Sequence, residues 1–195
     1  MASTGALILA GGLARRMGGQ DKGLVMLAES PMVSYALRTV QPLVDRCVIN
    51  ANRHLDVYSQ FGVPVITDQL EGHLGPLAGL SAGIDALDTD YVFMCPCDSP
   101  FVQAELFQAL LSACIETDAD LSVPHDGERL QPIFVVVHRR VKESLDLFLA
   151  SGQRKIDRWF DELKVQEVPA GDFIESFRNI NTEEERLATE QGMLR

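Results

Sequence analysis

The chain has 195 residues, enough for one substantial core, and its length favours a single domain spanning 1–195. Apolar residues make up 46% and charged residues 23%, the proportions of an ordered globular protein, which excludes a disordered or low-complexity chain. A formal charge of −11 excludes a broad nucleic-acid or anionic-membrane surface, because either would need clustered positive potential. No apolar run reaches bilayer length, and the opening MASTGALILAGG has neither a basic n-region nor a long apolar h-region, so the expectation is a soluble, unprocessed, cytoplasmic protein.

In chain order, ALILA (6–10) reads as the first strand and runs into a glycine-rich loop. Ser30 and Pro31 read as the N-cap and first position of a helix ending near Pro42. Strands are then predicted at RCVIN (46–50) and PVIT (64–67). Leu77, Leu80, Ile84 and Leu87 recur at helical spacing, followed by a strand at YVFMC (91–95). A second helical stripe, Phe107, Leu110, Leu111 and Cys114, precedes strands at DLSVP (120–124) and PIFVVV (132–137), with a shorter one at KVQEV (164–168). The stretch 150–182 is less regular and reads as an appendage to the main sheet. A final helix opens at TEEER with Thr182 as its cap. Short β-type runs alternating with helical segments specify an α/β domain with a mostly parallel central sheet.

The loop LILAGGLARRMGGQDKGL sets five glycines beside Arg15, Arg16 and Lys22, on a segment where only Asp21 and Glu29 oppose the cations up to residue 42. Glycines let successive backbone N–H groups approach a phosphate, and the cations neutralise it, so this loop is expected to bind a small anion, with Lys22 meeting phosphate charge. The glycine spacing fits neither G-x-G-x-x-G nor a loop ending in G-K-[ST], which excludes the two commonest nucleotide fingerprints.

In open α/β sheets ligands bind outside the carboxyl ends of the strands. There the first strand delivers Leu9 and Ala10, the second Asn50, the third Asp68 and the fourth, through CPC, Asp98. Carboxylates beside a polyphosphate need an intervening cation, so Asp98 is the expected magnesium ligand. A turn or helix cap is the competing account of each Asp, more so for Asp68. Gly75, Gly79 and Gly83, four residues apart, would leave one bare helix face, either for a planar base or for close packing on the sheet. Cys47, Cys95, Cys97 and Cys114 are read as reduced and buried, since C-x-C lacks zinc spacing. His54, His73, His125 and His138 are scattered and receive no catalytic role. HDGER (125–129) reads as well as a plain turn.

The segments LAGGLARRMGGQDKGL (9–24), VINANRH (48–54), GPLAG (75–79), CPCDSPF (95–101), HDGERLQP (125–132) and NINTEEE (179–185) together resemble the molybdenum cofactor guanylyltransferases over nearly the whole chain. The first of these alone would give only the wider nucleotidyltransferases. The resemblance implies a Rossmann-like three-layer sandwich and transfer of GMP from the co-substrate GTP to molybdopterin with release of pyrophosphate. It implies that Leu9, Ala10, Gly11, Gly12, Lys22, Asn50, Asp68, Gly79 and Asp98 contact GTP, that Asp98 holds magnesium, and that Arg16, Lys22 and Asp98 serve the chemistry. It further implies that HDGER, Gln131, Pro132, Asn179 and Asn181 line the molybdopterin side, and transient contact with molybdoenzymes or cofactor-delivery proteins. The family's N-x-N-T-P-E-E reads NINTEEE here, with Glu183 in place of proline. Two rivals stand beside it: a nucleotidyltransferase using CTP or a sugar-phosphate acceptor, and a GTP-binding cofactor carrier without chemistry.

Overall fold

The computed structural model describes residues 2–10, 13–14, 19–69 and 75–193, with the side chains of 13 and 14 excepted. Its centre is a seven-stranded sheet made of β1 (Thr4–Leu9), β6 (Arg46–Asn50), β7 (Val65–Ile66), β8 (Tyr91–Pro96), β9 (Leu121–His125), β10 (Val135–His138) and β11 (Val165–Pro169). The order is β11-β9-β10-β8-β1-β6-β7, and every pairing is parallel except the two made by β10. Two short antiparallel pairs, β2 (Leu13–Ala14) with β3 (Gln20–Asp21) and β4 (Met26–Leu27) with β5 (Ser30–Pro31), lie between β1 and the first helix.

Strand alternation splits the core in two. Ala6, Ile8, Phe93, Cys95 and Val136 face one way, where they meet Val33, Ala36, Leu37 and Val40 of α1 (Met32–Val40) and Leu106, Phe107, Leu110 and Cys114 of α4 (Ala104–Glu116). Leu7, Val48, Val92, Met94, Val135 and Val137 face the other way. They meet Leu77, Leu80, Ile84 and Leu87 of α3 (Pro76–Leu87), together with α5 (Lys142–Ala150) and α6 (Ile156–Phe160). A sheet covered by helices on both faces is the three-layer α/β sandwich that the alternating pattern predicts.

Three expectations need correcting. Ser30 and Pro31 form β5, and the helix opens one residue later than expected: Pro31, extended (φ −60, ψ 144), takes the cap position with no side-chain bond, α1 runs from Met32 to Val40, and a 3-10 turn covers Gln41–Leu43. The fixed φ of proline suits an extended edge as well as a first helical turn, and Ser30 pairing with Leu27 decides between them. The stretch 150–182 is no appendage, since it supplies α6 and β11, and then returns Ile180 to a buried cluster with Val25, Leu27 and Met32. Gly79 and Gly83 present no bare face: a Cβ on Gly83 would stand 2.7 Å from Leu7 Cδ2, and one on Gly79 would stand 2.7 Å from both Leu9 Cδ2 and Asn50 Oδ1. Close packing on the sheet is their role, whereas Gly75 is exposed and takes φ +74 just before α3. The last helix, α7 (Glu183–Met193), opens as expected. Thr182 Oγ1 accepts from Glu185 N at 3.2 Å while Glu185 Oε2 accepts from Thr182 N at 3.0 Å, a reciprocal cap that needs no proline.

Candidate active site

From β1 the chain crosses to β6 and β7 on one side, then returns to β8 on the other, which opens a crevice at the carboxyl end of β1. Backbone hydrogen bonds tie its walls together: Ala10 N donates to Asn50 O at 2.8 Å, and Cys97 N donates to Leu9 O at 3.0 Å. Ala10 is fully buried and Leu9 half-buried, so what Ala10 can offer a ligand is backbone.

Lys22 opens a 3-10 turn, Lys22–Leu24, capped by Asp21. Its Nζ donates to Asp98 Oδ2 at 2.7 Å and to Asn181 Oδ1 at 2.6 Å, joining three segments distant in sequence. Only 18% of the Lys22 side chain and 10% of the Asp98 side chain are exposed, so their attraction is screened less than that of a surface pair. Among the described residues the Asp98 side chain caps no backbone N–H; its carbonyl accepts from Ile180 N at 3.0 Å, and Ser99 Oγ donates to Asn179 Oδ1. The chain between β11 and α7 is thereby pinned to the end of β8, which sets Asn181 against Lys22 and Asn179 against Ser99.

On the other side of β1, Asn50 Nδ2 donates to Asp68 Oδ1 at 3.0 Å and Asn52 Nδ2 donates to Asp68 Oδ2 at 2.9 Å. Asp68 N in turn donates to Asn52 Oδ1 at 2.9 Å. Both carboxylate oxygens of Asp68 are thus gripped by amides, which suits a group that accepts hydrogen bonds rather than one that binds a metal. Gly79 lies beneath Asn50, so its influence on the crevice passes through that side chain.

A third layer lies behind Lys22. Asp21, 6% exposed, accepts from Tyr58 Oη at 2.5 Å and from Gly23 N at 3.3 Å, and Tyr58 is fully buried. Burial, ahead of the hydrogen bond and charge of Asp21, pushes the Tyr58 hydroxyl far above its ordinary range and keeps it a donor. Beside it, Arg53 Nη2 is buried with no hydrogen-bond partner among the described residues, on the loop that follows β6. An anionic ligand is the kind of partner that would satisfy it. All four cysteines are buried free thiols; burial pushes Cys47 up to about 12 and Cys114 up to about 11, so none is poised as a nucleophile.

The described residues therefore bring together Leu9, Ala10, Lys22, Asn50, Asp68, Asp98, Asn179 and Asn181 of the sequence expectations, with Gly79 one layer below. Gly11, Gly12, Arg15, Arg16 and His73 lie outside the described residues. HDGER is a turn: Asp126 Oδ1 accepts from Glu128 N and Arg129 N, both at 2.8 Å, and Oδ2 accepts from Gln131 Nε2 at 2.6 Å. It follows β9, on the same edge of the sheet as Asn50 and Asp98. His125 and His138 accept backbone N–H groups at 3.1 Å, the capping use expected of isolated histidines. Asp21, Asn52, Arg53, Tyr58 and Ser99 received no role from the sequence. Three of them, Asp21, Asn52 and Ser99, stand within two residues of ones that did (Lys22, Asn50 and Asp98), but only the fold shows which way each reaches.

Comparison with known proteins agrees with this architecture. The profile described as MobA-like NTP transferase domain matches residues 6–168. The molybdenum cofactor guanylyltransferase of Shewanella loihica is 41% identical over 93% of this chain and 92% of its own length, and that of Shewanella halifaxensis is 42% identical over 95% and 92%. Among solved structures, molybdopterin-guanine dinucleotide biosynthesis protein A from Archaeoglobus fulgidus superposes with a TM-score of 0.82 over 97% of this chain and 98% of that one, at 21% identity. A nucleotidyl transferase from Methanothermobacter thermautotroptrophicus gives 0.75 over 98% of each chain at 20% identity. These two show the fold, and the family profile together with the relatives at 41% and 42% identity establishes that the chain belongs to the MobA-like NTP transferase family, in its molybdenum cofactor guanylyltransferase branch.

Proposed function

We propose that this chain, acting as one domain, transfers GMP from GTP to molybdenum-loaded molybdopterin, releasing pyrophosphate and forming molybdopterin guanine dinucleotide. The observation that carries the reading is the Lys22–Asp98–Asn181 contact at the switch point of the sheet, where a cation, a carboxylate and an amide meet at the carboxyl ends of strands. In the reaction an oxygen of the acceptor's phosphate forms a bond to the α-phosphorus of GTP. The bond from that phosphorus to the bridging oxygen breaks, and pyrophosphate leaves with the electron pair. The buried, protonated thiols offer no covalent route, and positioning with charge stabilisation is what such a transfer requires.

Lys22 neutralises charge on the transferring phosphates. Asp98 and Asn181 hold its ammonium at the mouth of the crevice, and a bound nucleotide exchanges for Asp98 as its partner. Asn50 and Asp68 offer a donor and acceptor set for the nucleoside, Asn179 and Asn181 lie on the acceptor side, and Arg16 adds a second cation. Asp98 fits magnesium as a hard oxygen ligand: no hydrogen bond among the described residues occupies its Oδ1. No group of three or more His, Cys, Asp or Glu side chains among the described residues is arranged to hold an ion, so phosphates and water would have to supply most of its ligands. Magnesium held there would polarise the phosphate oxygens and neutralise the leaving pyrophosphate. No helix among the described residues is long and apolar enough to cross a membrane, and a cytoplasmic site of action fits a soluble nucleotide and acceptor.

The test is the fate of the label. With GTP labelled at the α-phosphate the product carries the label, and with GTP labelled at the γ-phosphate the label leaves in pyrophosphate. Label from the γ position in the product would mean phosphate transfer and would overturn the reading.

A further inference from the structure

Lys22 does not choose its own position. It is flanked by Asp21, whose carboxylate is buried yet is not its ion-pair partner, since Lys22 reaches across to Asp98 instead. A buried carboxylate is costly unless hydrogen bonds satisfy it, and Asp21 draws its bonds from Tyr58 Oη at 2.5 Å and Gly23 N at 3.3 Å. Tyr58 closes α2 (Leu55–Tyr58), and its hydroxyl also lies 3.4 Å from Ala10 O. One hydroxyl proton serves one strong acceptor, and both the shorter distance and the charge assign it to Asp21. Gly23 packs against the same ring, with Tyr58 Cε1 3.3 Å from where a Cβ would stand. One fully buried side chain thus ties together the end of β1, α2 and the residues on either side of Lys22.

We propose that Asp21 and Tyr58 are positioning residues: their buried hydrogen bond clamps the backbone around Lys22 so that its ammonium is presented to Asp98, Asn181 and the nucleotide phosphates. This rests on the proposed role of Lys22 in nucleotide transfer. A residue that only supports the fold would lower stability and leave Lys22 as it is, whereas a clamp acts through Lys22.

Tyr58→Phe removes the donor and keeps the ring. The expected result is a kcat for GTP lowered between about tenfold and a hundredfold, the range of a misplaced catalytic group, with a smaller change in KM. In a Lys22→Ala background the same substitution should produce no further loss, and an equal loss in both backgrounds would overturn the proposal. A second readout needs neither nucleotide nor acceptor: the acylation rate of Lys22 by an amine-directed acetylating reagent, followed by peptide mass spectrometry. Tyr58→Phe should acylate Lys22 several-fold faster while Lys142, held by Asp85 and Asp146, keeps its wild-type rate. An unchanged Lys22 rate would overturn the clamp. Should Tyr58→Phe not fold, Asp21→Ala and Asp21→Asn carry the same comparison, because only the asparagine variant retains an acceptor for both donors. Faster acylation in the alanine variant alone supports the clamp, and equal rates in the two overturn it. If the wild-type protein turns over no GTP, the proposed function fails while the acylation result still reads the clamp.

Discussion

Alanine at Gly79 and at Gly83, one helical turn apart on α3, should separate function from stability. A Cβ at either position meets a side-chain carbon or oxygen at 2.7 Å, roughly 1 Å inside the comfortable 3.5–4.0 Å separation. Overpacking of this kind costs about 1–3 kcal/mol, and the better helix propensity of alanine returns about 1 kcal/mol. The two sites relax differently. At Gly83 the obstacle is Leu7, fully buried between β6 and β8 with nowhere to swing, so the strain remains in the core. At Gly79 the obstacles are the tips of Leu9 and Asn50, which border the crevice and can turn into it. That movement breaks the 3.0 Å bond from Asn50 to Asp68, worth about 1 kcal/mol. Gly83→Ala should therefore lower Tm by up to about 8 °C, the equivalent of a net of roughly 0–2 kcal/mol in a chain of this size, with the KM for GTP unchanged. Gly79→Ala should lower Tm by a similar amount or less, but raise the KM for GTP about tenfold, as expected when about 1.4 kcal/mol of binding is lost. Differential scanning fluorimetry and steady-state kinetics on the same preparations suffice. Equal KM values in the two variants would refute the assignment of Asn50 and Asp68 to the nucleotide.

Asp98→Asn, which keeps the shape and removes the charge, should retain GTP binding by calorimetry while lowering turnover by about a hundredfold or more; normal turnover at saturating magnesium would remove Asp98 from the chemistry. The Asp126 carboxyl, held down to about 2 by backbone N–H groups of Arg129 and Glu128, should titrate well below the ordinary 3.8 in carbon-detected NMR. Because its folded value is depressed, its contribution to the 125–130 turn is present above about pH 4 and lost as the pH falls towards 2. An ordinary titration would mean that the turn bonds are absent in solution. With Cys47 pushed up to about 12 and Cys114 up to about 11, and all four thiols buried, the native protein at pH 8 should resist iodoacetamide and react only when unfolded. Fast labelling of the folded protein would contradict the packing of β6 and α4.

Periodicity makes the layers legible in the sequence because burial acts on every residue of a strand or helix: RCVIN coincides with β6, and the Leu77–Leu87 stripe is buried as a unit. The carboxyl-end rule brings out Asn50, Asp68 and Asp98 because strand ends follow from strand positions. Less was available where the outcome depends on partners far along the chain. Ser30 and Pro31 satisfy a helix start and a strand edge equally well, and only pairing with Met26 and Leu27 decides. Gly79 and Gly83 look like an open face until the sheet is placed against them. The pairing of Asp21 with Tyr58 gave no signal, because the two stand 37 residues apart and a buried Tyr–Asp pair has no spacing to betray it. Arg53 lies within VINANRH, but its burial shows only in the fold.

The most direct test of guanylyl transfer at Lys22 is pyrophosphate release measured with GTP, ATP or CTP, each with magnesium and molybdenum-loaded molybdopterin, for the wild-type protein and Lys22→Ala. The account predicts release with GTP alone, lowered by about a hundredfold or more in the variant. Release with CTP in place of GTP, or equal release by Lys22→Ala, would contradict it.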